Sequence, residues 1–424
     1  MKQRKILVEI KKYYNVKEVV VLIGSRQVWK STILKTIEKE IIKNNYWIFL
    51  DADFNSDLLL LGSSKDLLNI LELNWYYKEN KDKFIVFIDE FQKIKNIWTI
   101  IKWIYDRFEN IKFFLSGSSS IMINKAFGDS MMWRKVVFNI ERLDFEEYLD
   151  FSEQSNLLKI YNNIKLWQNL SLYNNDFIRN IENFLLFGWY PQIVLSNNKD
   201  YKIKKLDEIL SSYIQKDISD FFQAEHSTNI IKLLKYLTQI NSNLLKKSSI
   251  SNTLKISDYN LGKYLSVLQE TFFIKKLEPF FTNKVKSISK TEEVFFSDTG
   301  IYNSLLKNFN ELELRIDKWI LVENYVHTEL LKTKSILDEL FFYRDKNQLE
   351  VDFIIKTWDI LLPIEVKSWE QNKIPANIIN FSQKNNIKKA VVINKNIFKI
   401  ETKNDLEVIF IPYFLTGKLF NFVK

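Results

Sequence analysis

The sequence predicts an α/β protein with a parallel sheet first, a mostly helical middle and a second set of strands at the end. Three observations carry this. Short apolar, β-branched runs alternate with helical stretches over the first 150 or so residues. A loop segment, GSRQVWKST, follows the first of these runs directly and leads into a helix. Strand patterns then return at about residue 291, after a long helical region. Strands that alternate with helices argue for a parallel sheet covered on both faces.

In chain order, KEVVVLI (17–23) is the pattern of a buried parallel strand. STILKTIEKEIIKNN carries apolar residues at three- and four-residue spacing and predicts a helix. YWIFLDAD (46–53), KFIVFIDE (83–90) and IKFFLSGS (111–118) predict three more strands, with helical segments between them. From about 145 the pattern turns helical, through FEEYLDF and LDEILSSYIQKDISDFF. Residues 228–278 read as three short helices that end in a hairpin, and strands resume in EEVFFSDTG, ELFFYRDKNQLEVDFIIKT, ILLPIEVKS and KAVVINK. No internal repeat or low-complexity linker interrupts the chain. The expected parts are 1–150, a helical connector 151–225, a domain of short helices 226–290 and a C-terminal domain 291–424.

Composition excludes several classes of function. The 424 residues suffice for two or three domains, and 46% hydrophobic with 27% charged residues is globular rather than disordered. No run approaches the ~18 uncharged apolar residues of a membrane helix. The opening MKQRKILVEIKK lacks a signal-peptide core, so a cytoplasmic protein without membrane attachment is expected. Cysteine is absent, which removes disulfides, thiolate zinc sites and cysteine nucleophiles. With His226 and His327 as the only imidazoles, a multi-histidine metal site or a serine–histidine relay is not expected. The net charge of +9 leans mildly toward polyanionic partners.

GSRQVWKST sits between strand and helix, where a phosphate-binding loop belongs. In G-x-x-x-x-G-K-[ST], backbone N–H groups and the helix N-terminus cradle phosphates, Lys bridges the outer oxygens and the hydroxyl holds Mg²⁺. Residues Gly24, Ser25, Arg26, Gln27, Val28, Trp29, Lys30, Ser31 and Thr32 make up this candidate ATP site. Trp29 stands where the second glycine is expected, and its bulk would meet a bound phosphate. Four apolar residues, Ile85 to Ile88, lead into Asp89 and Glu90 at a strand end. In ATPases of this class the Asp orders Mg²⁺ and the Glu polarises the attacking water. Ser116, at the end of the next strand, is placed to sense the γ-phosphate.

GSRQVWKST, FIDEFQKI, FLSGSSS and RLDFEEYL together resemble the AAA+-type ATPases of bacteria and archaea that carry a C-terminal domain of formerly unknown function. Further matches run in order through GWYPQIV, LQETFFIKKLEPF, FFSDTG, VENYV, EVDFII and IEVK, so the resemblance covers nearly the whole chain. It implies a P-loop NTPase core, a winged-helix-like middle and a C-terminal α/β fold similar to restriction endonucleases. The cofactors implied are ATP and Mg²⁺.

Eight glycines are few for 424 residues, against a usual ~7%, while tryptophan reaches 11. Compared with that family, Trp29, Trp133 (before Arg134, where the family has Gly-Arg) and Trp189 replace glycines. Trp319, Trp358 and Trp369 also fall where glycine fits, Trp358 in the short turn KTWDI. Random decay would scatter substitutions instead of repeating one. These positions are therefore expected to be UGA codons that the host reads as glycine, a code some bacteria use.

In the C-terminal part, Asp352 ends one strand of E-V-D-F-I-I, and Glu365 and Lys367 lie two apart on the next. Period-2 alternation puts Glu365 and Lys367 on one face. With Glu323 from the preceding helix, the resemblance implies a nuclease arrangement. In it Glu323, Asp352 and Glu365 hold Mg²⁺ while Lys367 activates water, so Asp352, Glu365 and Lys367 are candidate catalytic residues. The plainer reading is a salt-bridged hairpin. Residues 245–290 hold nine lysines against Asp258, Glu270 and Glu278. Their periodicity suggests a helix-turn-helix, its second helix beginning near Asp258, then a wing whose lysines would meet DNA phosphates. A solvated face is the alternative there. The expected function is an ATP-hydrolysing protein that couples nucleotide state to a DNA-facing, nuclease-like module. The alternative is a non-catalytic interaction protein with relic sites, and a homo-oligomer remains open.

Overall fold

In the computed structural model Val19–Ile23 forms β1 with all five residues buried, as a strand covered on both faces requires. The structure describes residues 2–42, 45–54, 61–74, 83–118, 134–165, 170–218, 222, 224–281, 291–358 and 360–423. Trp133, the side chain of His226 and residues 282–290 of the basic segment lie outside the described residues. The chain divides into two units, Met1–Glu141 with Glu270–Phe272, and Arg142–Gln269 with Phe273–Lys424.

The first unit is built on β1, β2 (Tyr46–Asp51), β3 (Phe84–Asp89), β4 (Ile111–Gly117) and β5 (Lys135–Asn139), in spatial order β2-β3-β4-β1-β5. Every neighbouring pair is parallel. Parallel neighbours need crossovers, and the helices Lys30–Ile41, Ser64–Leu73 and Ile97–Tyr105 lie between the strands in sequence. The four expected strands are all present. The fifth, KVVFN, is half-exposed and lacks the continuous apolar signature of the others. One apolar cluster joins Val19, Val21, Val86, Ile88, Phe113 and Leu115 of the sheet to Ile97 and Ile101 of a helix. The order β3-β4-β1 brings the C-terminal ends of three strands side by side, and the candidate residues follow them.

The second unit begins with helices, among them Phe145–Phe151, whose Asp144 and Glu147 form a capping box. Next come the helix Ala224–Gln239, β6 (Asn243–Leu244), the helices Lys247–Leu254 and Asp258–Glu270, then β7 (Ile274–Pro279) and β8 (Glu293–Phe296). The three short strands pair antiparallel in the order β6-β8-β7. The helix Lys318–Thr333 leads into the antiparallel meander β9 (Asp338–Arg344), β10 (Glu350–Thr357) and β11 (Ile360–Val366). After the helix Ala376–Lys384, β12 (Lys389–Asn394) pairs parallel with β11, and β13 (Lys399–Lys403) and β14 (Leu406–Pro412) complete the edge. Because β7 pairs with β9, all nine strands form one sheet. Asp352 differs from its expected place. It is the third residue of β10, at a register shift between Val351 and Ile354, and not the strand's last. Among the described residues no helix is long and apolar enough to cross a membrane.

Candidate functional sites

The loop after β1 is shaped by its backbone. A Cβ on Gly24 would come within 2.2 Å of the Ile140 carbonyl oxygen, so only glycine fits there. Gln27 and Trp29 take left-handed φ values of 63° and 74°. Trp29 immediately precedes the helix Lys30–Ile41, and its carbonyl accepts from the Ile33 N–H. Arg4 braces the loop from the N-terminal segment, donating to the Val28 carbonyl at 2.9 Å and the Glu141 carbonyl at 2.8 Å. Nothing in the sequence pattern pointed to Arg4. The Lys30 side chain is buried, and its ammonium folds back onto the Ser25 carbonyl at 2.8 Å. Ser31 and Thr32, both half-buried, occupy the first turn of the helix.

On the neighbouring strands Asp89 ends β3 and Ser116 lies in β4, both buried. The Ser116 hydroxyl donates to Asp89 Oδ1, and the Glu90 N–H donates to the same oxygen at 3.1 Å. Glu90 is also left-handed, at φ 50°, where the chain leaves the strand for the short 3₁₀ turn Phe91–Lys93. Such backbone strain in non-glycine residues collects at functional sites. Asp51 of β2 stands in register with Asp89. Burial, reinforced by Asp89, Asp53 and Glu90, raises its carboxyl above the usual range, against the opposing Asp53 N–H. The geometry thus gathers Gly24–Thr32, Asp89, Glu90 and Ser116 at one end of three adjacent strands, where ligands of open α/β sheets bind. The helix N-terminus, the ammonium and the hydroxyls suit a polyphosphate, and Ser31 and Asp89 are the residues that would hold its Mg²⁺. The indole of Trp29 is the one group of the loop that does not.

The second cluster lies in the other unit, around a pocket of about 370 Å³ lined by Glu323, Arg344, Glu350, Asp352, Glu365, Lys367, Trp319 and Trp369, with Ser242 and Asn243 on its wall. Lys367 Nζ donates to Glu365 Oε1 at 2.6 Å, as the expected shared face requires. The Val366 N–H donates to Asp352 Oδ2 at 2.6 Å, which ties β10 to β11. The other oxygen of Glu365 is buried without a partner. Glu323 and Asp352 open partly to the pocket. Burial, reinforced by Asp352, Glu293, Glu350 and Glu365, holds the Glu323 carboxyl well above the usual range. Burial and Glu365 do the same to Asp352, against Lys367 and the Val366 N–H. Burial works to lower the Lys367 ammonium, but Glu365 and Asp352 hold it above its usual value.

The sequence reading did not single out Glu293, Glu350 or Arg344. Glu350 lies two residues before Asp352 and pairs with Arg344 at 2.6 Å. Glu293 is buried on β8, and burial together with Glu350 and Asp352 raises its carboxyl well above the usual range. Strand alternation could have found Glu350, but no local signal marks Glu293. The excess of carboxylates suits a cation in charge. Yet among the described residues no three Asp, Glu or His side chains converge on a point that would hold a metal ion.

Of the expected glycine positions, Trp29 and Trp358 have left-handed backbone, φ 74° and 55°, the region that favours glycine. Trp189 instead follows the left-handed Gly188 and packs fully buried against Phe184 and Tyr325, its indole N–H without a partner. Trp319 lies inside a helix, and Trp369 is exposed.

Residues 16–149 match the family model of an AAA domain. Residues 178–312 and 320–414 match two domains of unknown function, DUF8612 and DUF4143. An uncharacterized protein of Methanocaldococcus jannaschii is 28% identical over 357 residues, which cover 82% of this chain and 74% of that one. An uncharacterized protein of Mycobacterium tuberculosis is 18% identical over 344 residues, covering 80% and 67%. Among solved structures, the Aeropyrum pernix ORC1 protein in complex with DNA is 10% identical over 72% of this chain and 93% of its own, with a TM-score of 0.32. The five-stranded parallel sheet and the AAA match make the first unit an α/β domain of the P-loop NTPase class.

Proposed function

We propose that the chain binds and hydrolyses ATP through its first unit and uses the nucleotide state to govern a DNA-facing segment and an acidic pocket in the second. The observation that carries the ATP reading is the convergence of Lys30, Asp89 and Ser116 at adjacent strand ends beside the loop 24–32. Lys30 would leave the Ser25 carbonyl for the β/γ oxygens, Ser31 and Asp89 would hold Mg²⁺, and Glu90 would polarise the attacking water. Ser116 senses the γ-phosphate from its bond to Asp89. Mg²⁺ supplies neutralisation of the phosphate charge.

Tryptophan at 29 supports the second reading, a non-catalytic interaction protein with relic sites. The left-handed φ at 29 and 358 supports the opposite inference, that both positions are natively glycine. Reading codons 29, 133, 189 and 358 of the gene decides between them, because UGG there leaves the tryptophans genuine. On the protein, Trp29→Gly should bind Mg-ATP in a calorimetric titration and Trp29→Gly with Lys30→Ala should not. Equal binding by both variants would remove the loop from this role.

The helix–strand–helix–helix–strand–strand order of 224–296 supports a winged-helix reading, with Tyr259 and Lys263 exposed on the helix Asp258–Glu270. The order helix, three-stranded meander, helix, parallel strand over 318–394 supports a fold like the restriction endonucleases. The pocket is proposed to take a divalent cation between Glu323, Asp352 and Glu365. Cleavage is not assigned to it, since the carboxylates do not converge as they stand.

A further inference from the structure

Two residues beyond Glu90, the side-chain amide of Gln92 makes two bonds at once. Its Nε2 donates to Glu90 Oε2 and, at 3.1 Å, to Ser118 Oγ just beyond β4. The same amide's oxygen is buried and has no partner. Turning the amide over would set its oxygen against the Glu90 carboxylate oxygen, whereas the Ser118 hydroxyl can face either end, so the carboxylate fixes which way the amide points. A buried carbonyl left without a partner is a cost that few side chains in a folded protein bear, and it asks for a reason. The path to Ser118 also needs space. A Cβ on Gly117 would come within 2.5 Å of Gln92 Oε1 and 2.9 Å of the Phe91 ring, so glycine at the end of β4 is what lets Gln92 reach across.

Ser116, Gly117 and Ser118 are consecutive, and Ser116 is already bonded to Asp89. The end of β4 therefore touches both acidic residues of the site, Asp89 through Ser116 and Glu90 through Gln92. We infer that Gln92 is a positioning residue for ATP hydrolysis: it holds the Glu90 carboxylate in one orientation and links it to the end of β4 beside Ser116. A free glutamate on a left-handed residue at a strand end would sample several rotamers, and a charged acceptor held by a directed donor does not. The inference rests on Glu90 being the water-polarising group proposed above.

Gln92→Met keeps the length and volume of the side chain but removes its donor, and Gln92→Glu turns the donor into a second carboxylate facing Glu90. In the Trp29→Gly chain, both should lower kcat about tenfold or more, Glu below Met, while the KM for ATP and the melting temperature stay within about twofold and a few degrees of the parent. Ser118→Ala should lower kcat by a smaller factor, since it removes only the far anchor. A Gln92→Met protein that turns over ATP at the parent rate overturns the inference. So does a loss that appears as raised KM with unchanged kcat, which would make Gln92 a binding residue. Glu90→Gln is run alongside. If it too keeps the parent rate, the underlying assignment of Glu90 has failed, whereas if it alone is inactive, only the role of Gln92 has.

Discussion

The two clusters of functional residues handle charge in opposite ways. At the strand ends of the first unit each ionic group already has a protein partner, Lys30 on the Ser25 carbonyl and Asp89 under Ser116 and the Glu90 N–H. In the second unit five carboxylates, Glu293, Glu323, Glu350, Asp352 and Glu365, crowd around Lys367 and Arg344, and burial and mutual repulsion drive Glu293, Glu323 and Asp352 toward their protonated forms. A ligand at the first site would have to replace protein partners, so discrimination there would depend on loop shape. The second has surplus charge, so a ligand there would be worth stability as well as affinity.

Removing a cation from the satisfied site should have the largest effect. In the Trp29→Gly chain, Lys30→Ala should weaken Mg-ATP binding by about 100-fold or more, because a buried ammonium facing phosphate is among the stronger charge-assisted interactions. Calorimetry measures it, and a loss under threefold would mean the ammonium stays on Ser25 when nucleotide binds. Glu90→Gln should then leave affinity nearly unchanged while turnover falls by about 10²–10³-fold, as for loss of a general base. Single-turnover phosphate release with the wild-type rate would shift the catalytic role to another group.

Legibility in the sequence followed the same division. The proposed nucleotide site lies on contiguous segments at strand ends, so GSRQVWKST and FIDE were enough to mark it as a candidate. The order in which β1, β3 and β4 lie side by side could not be read locally, and alternation of strands and helices predicted only that the sheet is parallel. Arg4 escaped because a single side chain that braces a loop from far along the chain leaves no periodic trace. The acidic cluster draws on β8, a helix, β10 and β11, spread over residues 293–367. Strand alternation paired Glu365 with Lys367. The inclusion of Glu323 came from resemblance, and Glu293 from neither. The bulge at Asp352 was also invisible, since period-2 counting assumes an unbroken register.

The basic segment gives a third, smaller test of where positive charge is free to act. Lys276 lies within 3.5 Å of Glu292, while Lys246, Lys247 and Lys263 are exposed. If 245–290 meets DNA, affinity should fall with salt at about −0.9 log units per phosphate contacted. Replacing Lys246, Lys247 and Lys263 with Ala together should flatten that slope by up to ~3 units. Fluorescence anisotropy at several salt concentrations reads this directly, and an unchanged slope would reduce the segment to scaffold.

The smallest expected effect is a change of a few degrees in melting temperature, and its pH dependence follows from the raised carboxyls of the second unit. Glu323 and Asp352 start from ordinary values of 4.5 and 3.8 and are held well above them in the folded chain. A carboxyl whose folded value is raised binds its proton more tightly in the native state. Its contribution is therefore full below about pH 4 and is lost as pH rises from there through the raised folded value. With chelator present, the second unit should lose stability across that rise, and Asp352→Asn with Glu323→Gln should flatten the loss. Mn²⁺ or Mg²⁺ should restore a few degrees at neutral pH in the parent and nothing in the double variant, since the metal takes the place of the missing protons. Calorimetric scans of the full chain in which neither ion moves the melting temperature would leave the pocket a salt-bridged hairpin. Its crowded acids would then be held by protons, Lys367 and Arg344.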